Sequence, residues 1–382
     1  MRVLSVLLND FRNIKYLEIS LSPGINLFYG MNGQGKTNIL ESIEILSTTR
    51  SQRASKESEL VRHEASDANI SGKFQKNGLD FEILINLHKD KRKTCMKNGK
   101  AASADSVFGS VNVVKFFPDD VEIIKGPPLL RRRYADMEIS LTDRLYYQDY
   151  KNYTKLIDAR NRVLKAISDY RPQSVEYADA MNTIVSYDEL IPGYAYSIYA
   201  GRMRFISEIS EAANRTHLNI SSGAEKISMR YVQNNFENDY EQRVLSGPEF
   251  KEKLIFLLKK NLKNDILRKL TGIGPHRDDI EFLISGTSAR SYGSTGQVKT
   301  LALSLKLAQI EYVYKKVNDY PALLIDDLTS EFDTERLFNI INGISGDIQV
   351  MVTSTNQRVF IDAFSGREAE YFEIANGDLR KP

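Results

Sequence analysis

INLFYGMNGQGKTNILESI, residues 25–43, changes character twice within a few turns of chain. Ile25, Leu27 and Phe28 form an apolar run of the kind found in a buried strand. Ile39, Leu40, Ile43 and Leu46 then fall on one face of a helix. Between them Gly30-Met31-Asn32-Gly33-Gln34-Gly35-Lys36-Thr37 fits the GxxxxGK[ST] spacing of a P-loop. Glycines let the backbone curl so that consecutive N–H groups converge on phosphate oxygens, and the helix N-terminus adds its partial positive charge. Lys36 is expected to reach the β and γ phosphates of ATP and Thr37 to place its hydroxyl on Mg²⁺, with Asn38 completing the cofactor-binding set.

This turn alone does not choose among kinases, GTPases, helicases and ABC-type machines. A second element near the other end of the chain narrows the choice. Leu323, Leu324 and Ile325 lead into Asp326 and Asp327, an apolar strand ending in carboxylates, which is the Walker B pattern. Asp326, first out of the strand, is expected to hold Mg²⁺ together with Thr37, and Asp327 to polarise the attacking water. Between the two motifs stands Ser294-Thr295-Gly296-Gln297, which opens a long helix ending just ahead of the Walker B strand. A serine hydroxyl with helix N-terminal amides suits the γ-phosphate of a nucleotide held by another subunit. Ser294, Gly296 and Gln297 are therefore expected at the nucleotide, as is Asp333 in the following Ser330-Glu331-Phe332-Asp333 stretch along a dimer seam. The consequence is pairing of two copies driven by ATP.

The rest of the chain places these motifs. With 382 residues, 42% apolar and 27% charged, it has ample material for a globular core and does not read as disordered. No stretch is long and apolar enough for a membrane span, and MRVLSVLLNDFRN reads as a first strand, so the cytoplasm is the expected compartment with no membrane partner. Cys95 stands alone beside His63, His88, His217 and His276, which leaves no internal disulfide and no zinc spacing. Strands are expected through the first part of the chain, with Asn98-Gly99 as a tight turn. Charged, tyrosine-rich helices follow over residues 131–218, a lysine-rich helix over 248–270, and strands again from Asp279. Pro192 is expected to start or kink a helix. The fold class is thus an α/β head split in sequence, residues 1–130 and 271–382, with a helical insertion at 131–270.

Six blocks in this order resemble the RecF family, ABC-type ATPases related to SMC head domains. They are NDFRN at 9–13, GMNGQGKTNILESI at 30–43, FPDDVEIIKGPPLLRRRYAD at 117–136, GPHRDDIEF at 274–282, YGSTGQVKTLALSLKLA at 292–308 and LLIDDLTSEFD at 323–333. The chain between Lys36 and Ser294 is too short for the long coiled coil of SMC proteins and longer than a transporter ATPase places there. The resemblance implies an ABC-type P-loop ATPase head with a lever-arm insertion. It also implies an ATP-clamped dimer on double-stranded or gapped DNA, slow hydrolysis, and direction of RecA loading with RecO and RecR in repair and replication restart. Lys299, Thr329, Phe332 and Ala135 depart from the family pattern. VTSTN carries Ser354 and Thr355 where ABC proteins keep a switch histidine, which suggests weak hydrolysis. Three other readings remain at this stage: an ABC transporter subunit, an end-processing or anti-phage ATPase of the wider group, and a small-molecule P-loop kinase.

Net charge is only +2, so a nucleic-acid surface has to be local. The expected DNA contacts are Lys89, Lys91, Arg92, Lys93 and Lys97 on a hairpin, and Arg131, Arg132 and Arg133. The lysine-rich helix around Lys259, Lys260 and Lys263 is a third basic cluster. With no base-reading module in sight, binding should be independent of sequence.

Overall fold

The computed structural model describes residues 1–234, 245–327, 346–355, 357 and 368–380. The chain divides into two compact units, one of Met1–Val121, Ala212–Lys226 and Thr295–Pro382, the other of Glu122–Glu211 and Ile227–Ser294.

The first unit holds two sheets. Strands β1 (Arg2–Phe11), β2 (Ile14–Ser20), β4 (Asp67–Lys76), β5 (Leu79–His88), β6 (Thr94–Lys97) and β7 (Lys100–Ala102) form an antiparallel sheet ordered β2-β1-β4-β5-β6-β7. Two of its tight turns are Asn-Gly pairs with positive φ at both residues, 51° and 77° at Asn77-Gly78 and 51° and 71° at Asn98-Gly99. The second sheet is ordered β15-β14-β3-β13-β12-β8, from β3 (Ile25–Tyr29), β8 (Val113–Phe116), β12 (Ala322–Ile325), β13 (Val350–Ser354), β14 (Ala369–Ala375) and β15 (Asp378–Arg380). Every pairing in it is parallel except β14 with β15. ALLI is buried at all four positions, as a central parallel strand requires.

Helix α1 (Lys36–Thr48) packs against β4, β1 and β5 of the first sheet and against β13 and β8 of the second. That placement buries it nearly all round, so its apolar stripe of Ile39, Leu40, Ile43 and Leu46 merges with Val6, Leu8, Phe28, Phe74 and Met351 in one core. The short helix α2 (Ala104–Val107) follows β7.

The second unit contains α3 (Glu122–Lys125), α4 (Pro128–Thr142), α5 (Arg144–Ile167), most of α6 (Val175–Ile220), α7 (Gly247–Arg268) and α8 (Ala289–Tyr292). It also has a three-stranded antiparallel sheet, β11-β10-β9, from β9 (Ile227–Val232), β10 (Asp279–Ile284) and β11 (Thr287–Ser288). α9 (Thr295–Val317) returns the chain to the first unit. Pro192 lies inside α6. These units differ from the 131–270 division. Residues 279–284 pair with β9, and Arg131 binds Asp279, so β10 stays with the helices. Residues 212–226 go with the head because their side chains bind along α9.

Two fully buried arginines hold the helical unit together. Arg202 donates bidentately to Asp136 at 2.8 Å on both arms, and to the Pro275 carbonyl at 2.7 Å. Arg160 donates to Asp188 and Asp265 at 2.7 Å each and to Thr271 Oγ1 at 3.0 Å, joining α5, α6 and α7. The Arg202 fork is paired on both arms, the condition under which a buried charge's desolvation is offset. Arg160 Nη2, by contrast, is buried without a hydrogen-bond partner among the described residues, so its group is only partly compensated.

Beside them, two titratable groups are pushed in opposite senses by burial. Asp278, which accepts from Tyr231 at 2.6 Å, is raised from 3.8 to about 6, and His276, held by Tyr153 and the Thr271 carbonyl, is lowered from 6.5 to about 4. The folded chain holds the Asp278 proton more tightly than the unfolded chain does. Its contribution is therefore present below about pH 3.8 and is lost as pH rises through about 6. His276 does the reverse, contributing fully above 6.5 and losing that contribution as pH falls through about 4. The two nearly offset in acid. His276→Gln should therefore make the melting temperature fall as pH rises between those limits, and Asp278→Asn should make it rise. Equal slopes for the two variants in a pH series of thermal melts would contradict the assignment.

Candidate nucleotide site

β3 ends at Gly30, and the chain must turn sharply there. Gly30 has φ +148°, and a Cβ on it would come 2.3 Å from the Ile374 carbonyl oxygen of the neighbouring strand, so only glycine fits. Gly33 and Gly35 follow at φ 77° and 111°, in the left-handed region that glycine reaches at little cost. α1 then begins at Lys36, with the Asn38 and Ile39 amides closing on the Gly35 carbonyl at 3.0 and 3.2 Å. The N–H groups of Lys36 and Thr37, ahead of the first helical hydrogen bonds, make an anion-ready concavity. Lys36 arches back over the loop, donating to the carbonyls of Gly30 at 2.8 Å and Met31 at 2.9 Å. Burial pushes its ammonium pKa down, while Asp327 and Asp326 push it up.

The carboxylates sit at the end of β12. Asp326 donates its N–H to the Phe116 carbonyl at 2.9 Å, which holds it in register with β8. Its Oδ1 accepts from Thr37 Oγ1 at 2.8 Å and from Thr353 Oγ1 at 2.6 Å. Thr353 Oγ1 in turn accepts the Asp327 N–H at 3.0 Å, and Asp327 has φ 49°, a turn that takes it out of the strand direction. The P-loop threonine, the first strand-end acid and a buried threonine of β13 thus converge on one oxygen. Thr37 and Asp326 supply hard oxygen donors at hydrogen-bonding distance from each other, which suits Mg²⁺.

Several supporting residues were not foreseen. Asn13, in the β1–β2 turn, donates to the Gly33 carbonyl at 3.2 Å and accepts from Asn38 Nδ2 at 2.8 Å. The β14–β15 turn donates from Asn376 N–H to Gln34 Oε1 at 2.5 Å and from Gly377 N–H to the Gln34 carbonyl at 2.9 Å. Two hairpin turns therefore clasp the P-loop from outside. Asn376-Gly377 is a legible turn signal, and Thr353 follows the apolar run Val350-Met351-Val352 within β13. Arg12, beside Asn13, forms a bidentate pair with the buried Glu41 of α1 at 2.7 and 3.0 Å.

Ser294 and Gly296 are exposed around the start of α9, and Gln297 is half-buried in its first turn. Asp333, with the rest of 330–333, lies outside the described residues, as do Thr329 and Phe332. Ser354 is buried and Thr355 exposed at the position of the missing histidine.

The basic clusters divide. Arg131 is corrected from a DNA contact to a structural residue: it is 2% exposed, binds both oxygens of Asp279 at 2.7 and 2.8 Å, and donates to the carbonyls of Ile124 and Gly126. The reason is helical phase, since Arg131 shares the buried face of α4 with Tyr134, Ala135, Glu138 and Ile139. Lys93 is also tied down, to Glu57 and the Thr49 carbonyl. Lys89 donates to the His63 carbonyl, Lys97 to Ser110 across the Phe81 ring, and Arg132 to the Asp278 carbonyl. Lys91, Arg92 and Arg133 are exposed. Among the described residues no helix is long and apolar enough to cross a membrane.

The RecF/RecN/SMC N terminal domain family matches residues 2–373. "DNA replication and repair protein RecF" of Lachnospira eligens is 40% identical over 363 residues, 95% of this chain and 94% of that one. The protein of the same name from Enterococcus faecalis is 32% identical over 381 residues, 100% and 99% of the two chains. A solved structure described as the recombination mediator protein RecF-ATP in the RecFOR pathway superposes with a TM-score of 0.88 at 30% identity, covering 100% of this chain and 97% of that one. An SMC head bound to the C-winged helix domain of ScpA gives 0.55 at 18% identity, over 100% and 96% of the chains, a likeness of fold alone.

Proposed function

The chain belongs to the RecF family, DNA replication and repair ATPases of the RecFOR pathway, and from that premise we propose that it acts as a clamp closed on DNA by ATP. One copy cradles the triphosphate in the loop 30–37, and a second copy caps the γ-phosphate with Ser294, Gly296 and the first turn of its α9. The convergence of Thr37 and Asp326 on one oxygen position supports the nucleotide reading most directly, because it joins the two motifs at 2.8 Å. Thr37 and Asp326 would hold Mg²⁺, which when bound neutralises charge on the β and γ phosphates. Lys36 orients the same phosphates, and Asp327 holds a water for attack. With Ser354 and Thr355 in place of a histidine, hydrolysis is slow and serves to release the clamp. Duplex or gapped DNA lies along local basic surface, with Lys91, Arg92 and Arg133 the exposed candidates, and RecO and RecR are the partners in directing RecA loading. The helical insertion works as a lever arm.

Sedimentation velocity tests the pairing. ATP with Mg²⁺ is expected to convert monomer to dimer, and Ser294→Ala to prevent that conversion while the monomer still binds nucleotide. An unchanged mass with and without ATP would remove the clamp.

A further inference from the structure

The last turns of α6 and the stretch after it, residues 212–226, run along α9 through three side-chain contacts. Arg215 Nη2 reaches both oxygens of Glu311 at 2.9 and 3.0 Å, His217 Nδ1 lies 3.1 Å from Ser304 Oγ, and Glu225 Oε1 accepts from Gln297 Nε2 at 2.6 Å. Gln297, Ser304 and Glu311 recur at every second turn of α9, which puts them on one stripe. The contacts are not equal. Arg215 and Glu311 are about half exposed, where an ion pair contributes little. His217 and Ser304 are fully buried. The Glu225 contact is short and charge-assisted, the strong class of hydrogen bond, and its second oxygen lies 3.4 Å from His217 Nε2, so the carboxylate is fixed from both sides.

Gln297 is in the first turn of α9, three residues past Ser294. A glutamine amide can present either its oxygen or its NH₂ group in a given direction. A carboxylate on Nε2 settles which, since it accepts only from the nitrogen. We propose that Glu225 is a positioning residue for the Ser294–Gln297 element that opens α9. It sets the Gln297 amide, and because it follows the C-terminal end of α6 by a single turn, it makes the anion-binding end of α9 answer to the long helix of the insertion. This inference rests on the clamp reading. It adds to that reading a specific residue through which the state of the insertion bears on ATP-driven pairing.

The test uses the full chain in three forms: wild type, Glu225→Ala and Glu225→Gln. Binding of a fluorescent ATP analogue to dilute monomer is compared with ATP-dependent dimerisation by sedimentation velocity. Glu225→Ala should bind the analogue as wild type does but dimerise roughly tenfold or more weakly, the consequence of losing a hydrogen bond to a charged group. Glu225→Gln keeps an acceptor oxygen at the same place but loses the charge and the acceptor-only character, so it should recover part of the loss, which a merely structural role of the charge would not allow. Wild-type dimerisation by Glu225→Ala would overturn the inference. Equal losses in both variants would also overturn it, because the acceptor oxygen would then not be what matters. A wild-type chain that binds the analogue but stays monomeric with ATP would overturn the clamp reading itself, and this inference with it.

Discussion

Arg160→Met should lower the stability of the helical unit by about 3–5 kcal/mol, the usual consequence of removing one member of a buried ionic group. Asp188 and Asp265 are 3% and 1% exposed, and both point their carboxylates at this guanidinium. Burial already holds the Asp188 pKa above the ordinary value, with Arg160 pulling it back down. Without the arginine, both acids would be left charged in a dry environment or forced to take up protons. Methionine fills much of the space, so the loss is electrostatic and not a cavity effect. With a urea slope of about 1–3 kcal/mol/M the midpoint should drop by more than about 1 M, followed by far-UV circular dichroism. Replacing all three charged residues by leucine should recover most of the loss, because an apolar set of similar volume carries no uncompensated charge. A drop below about 0.5 M for Arg160→Met would show that water already reaches the group.

That arginine also shows where sequence reading stops. Tyr153, Leu156, Arg160, Val163 and Ile167 have the three-four spacing of a packed helix seam, and Tyr153, Arg160 and Ile167 are indeed buried. Spacing locates the buried face but says nothing of what a charged residue on it will meet, since Asp188 and Asp265 lie far along the chain. The same gap explains Arg131. Three arginines in a row look like a basic patch, yet helical phase turns the first one inward and only the third fully outward. Local grammar carried further at the head. The strand-glycine-helix order, the buried ALLI strand and the Asn98-Gly99 turn each depend on neighbours in sequence, and each is found. β9, β14 and β15 were not anticipated. The supporting residues were not either, because Asn13 and Asn376 reach the P-loop, and Thr353 reaches Asp326, only through pairing of distant strands.

Lys36→Met should abolish ATP binding at any concentration reached in the monomer assay while leaving the fold intact, and the reason for that separation lies in the energetics of this one side chain. Lys36 is 7% exposed, and burial is the largest influence on its pKa, directed against the charge. Removing it therefore removes a desolvation cost together with the two hydrogen bonds to Gly30 and Met31. Those carbonyls lie at the mouth of the loop, where the net loss is on the order of 1 kcal/mol or less after compensation. A triphosphate has no such substitute. Each charge-assisted bond it makes is worth roughly 1.5–3 kcal/mol, so if Lys36 meets the β and γ phosphates as proposed, its loss should weaken binding by about a hundredfold or more. Asp326 and Asp327 sharpen the effect, because without the cation their charges face the phosphates unopposed. Thermal melts that match wild type, beside a nucleotide titration that stays flat, are the expected pair of results. Retained binding would mean that the backbone amides and the start of α1 suffice, and that Lys36 serves the loop and not its ligand.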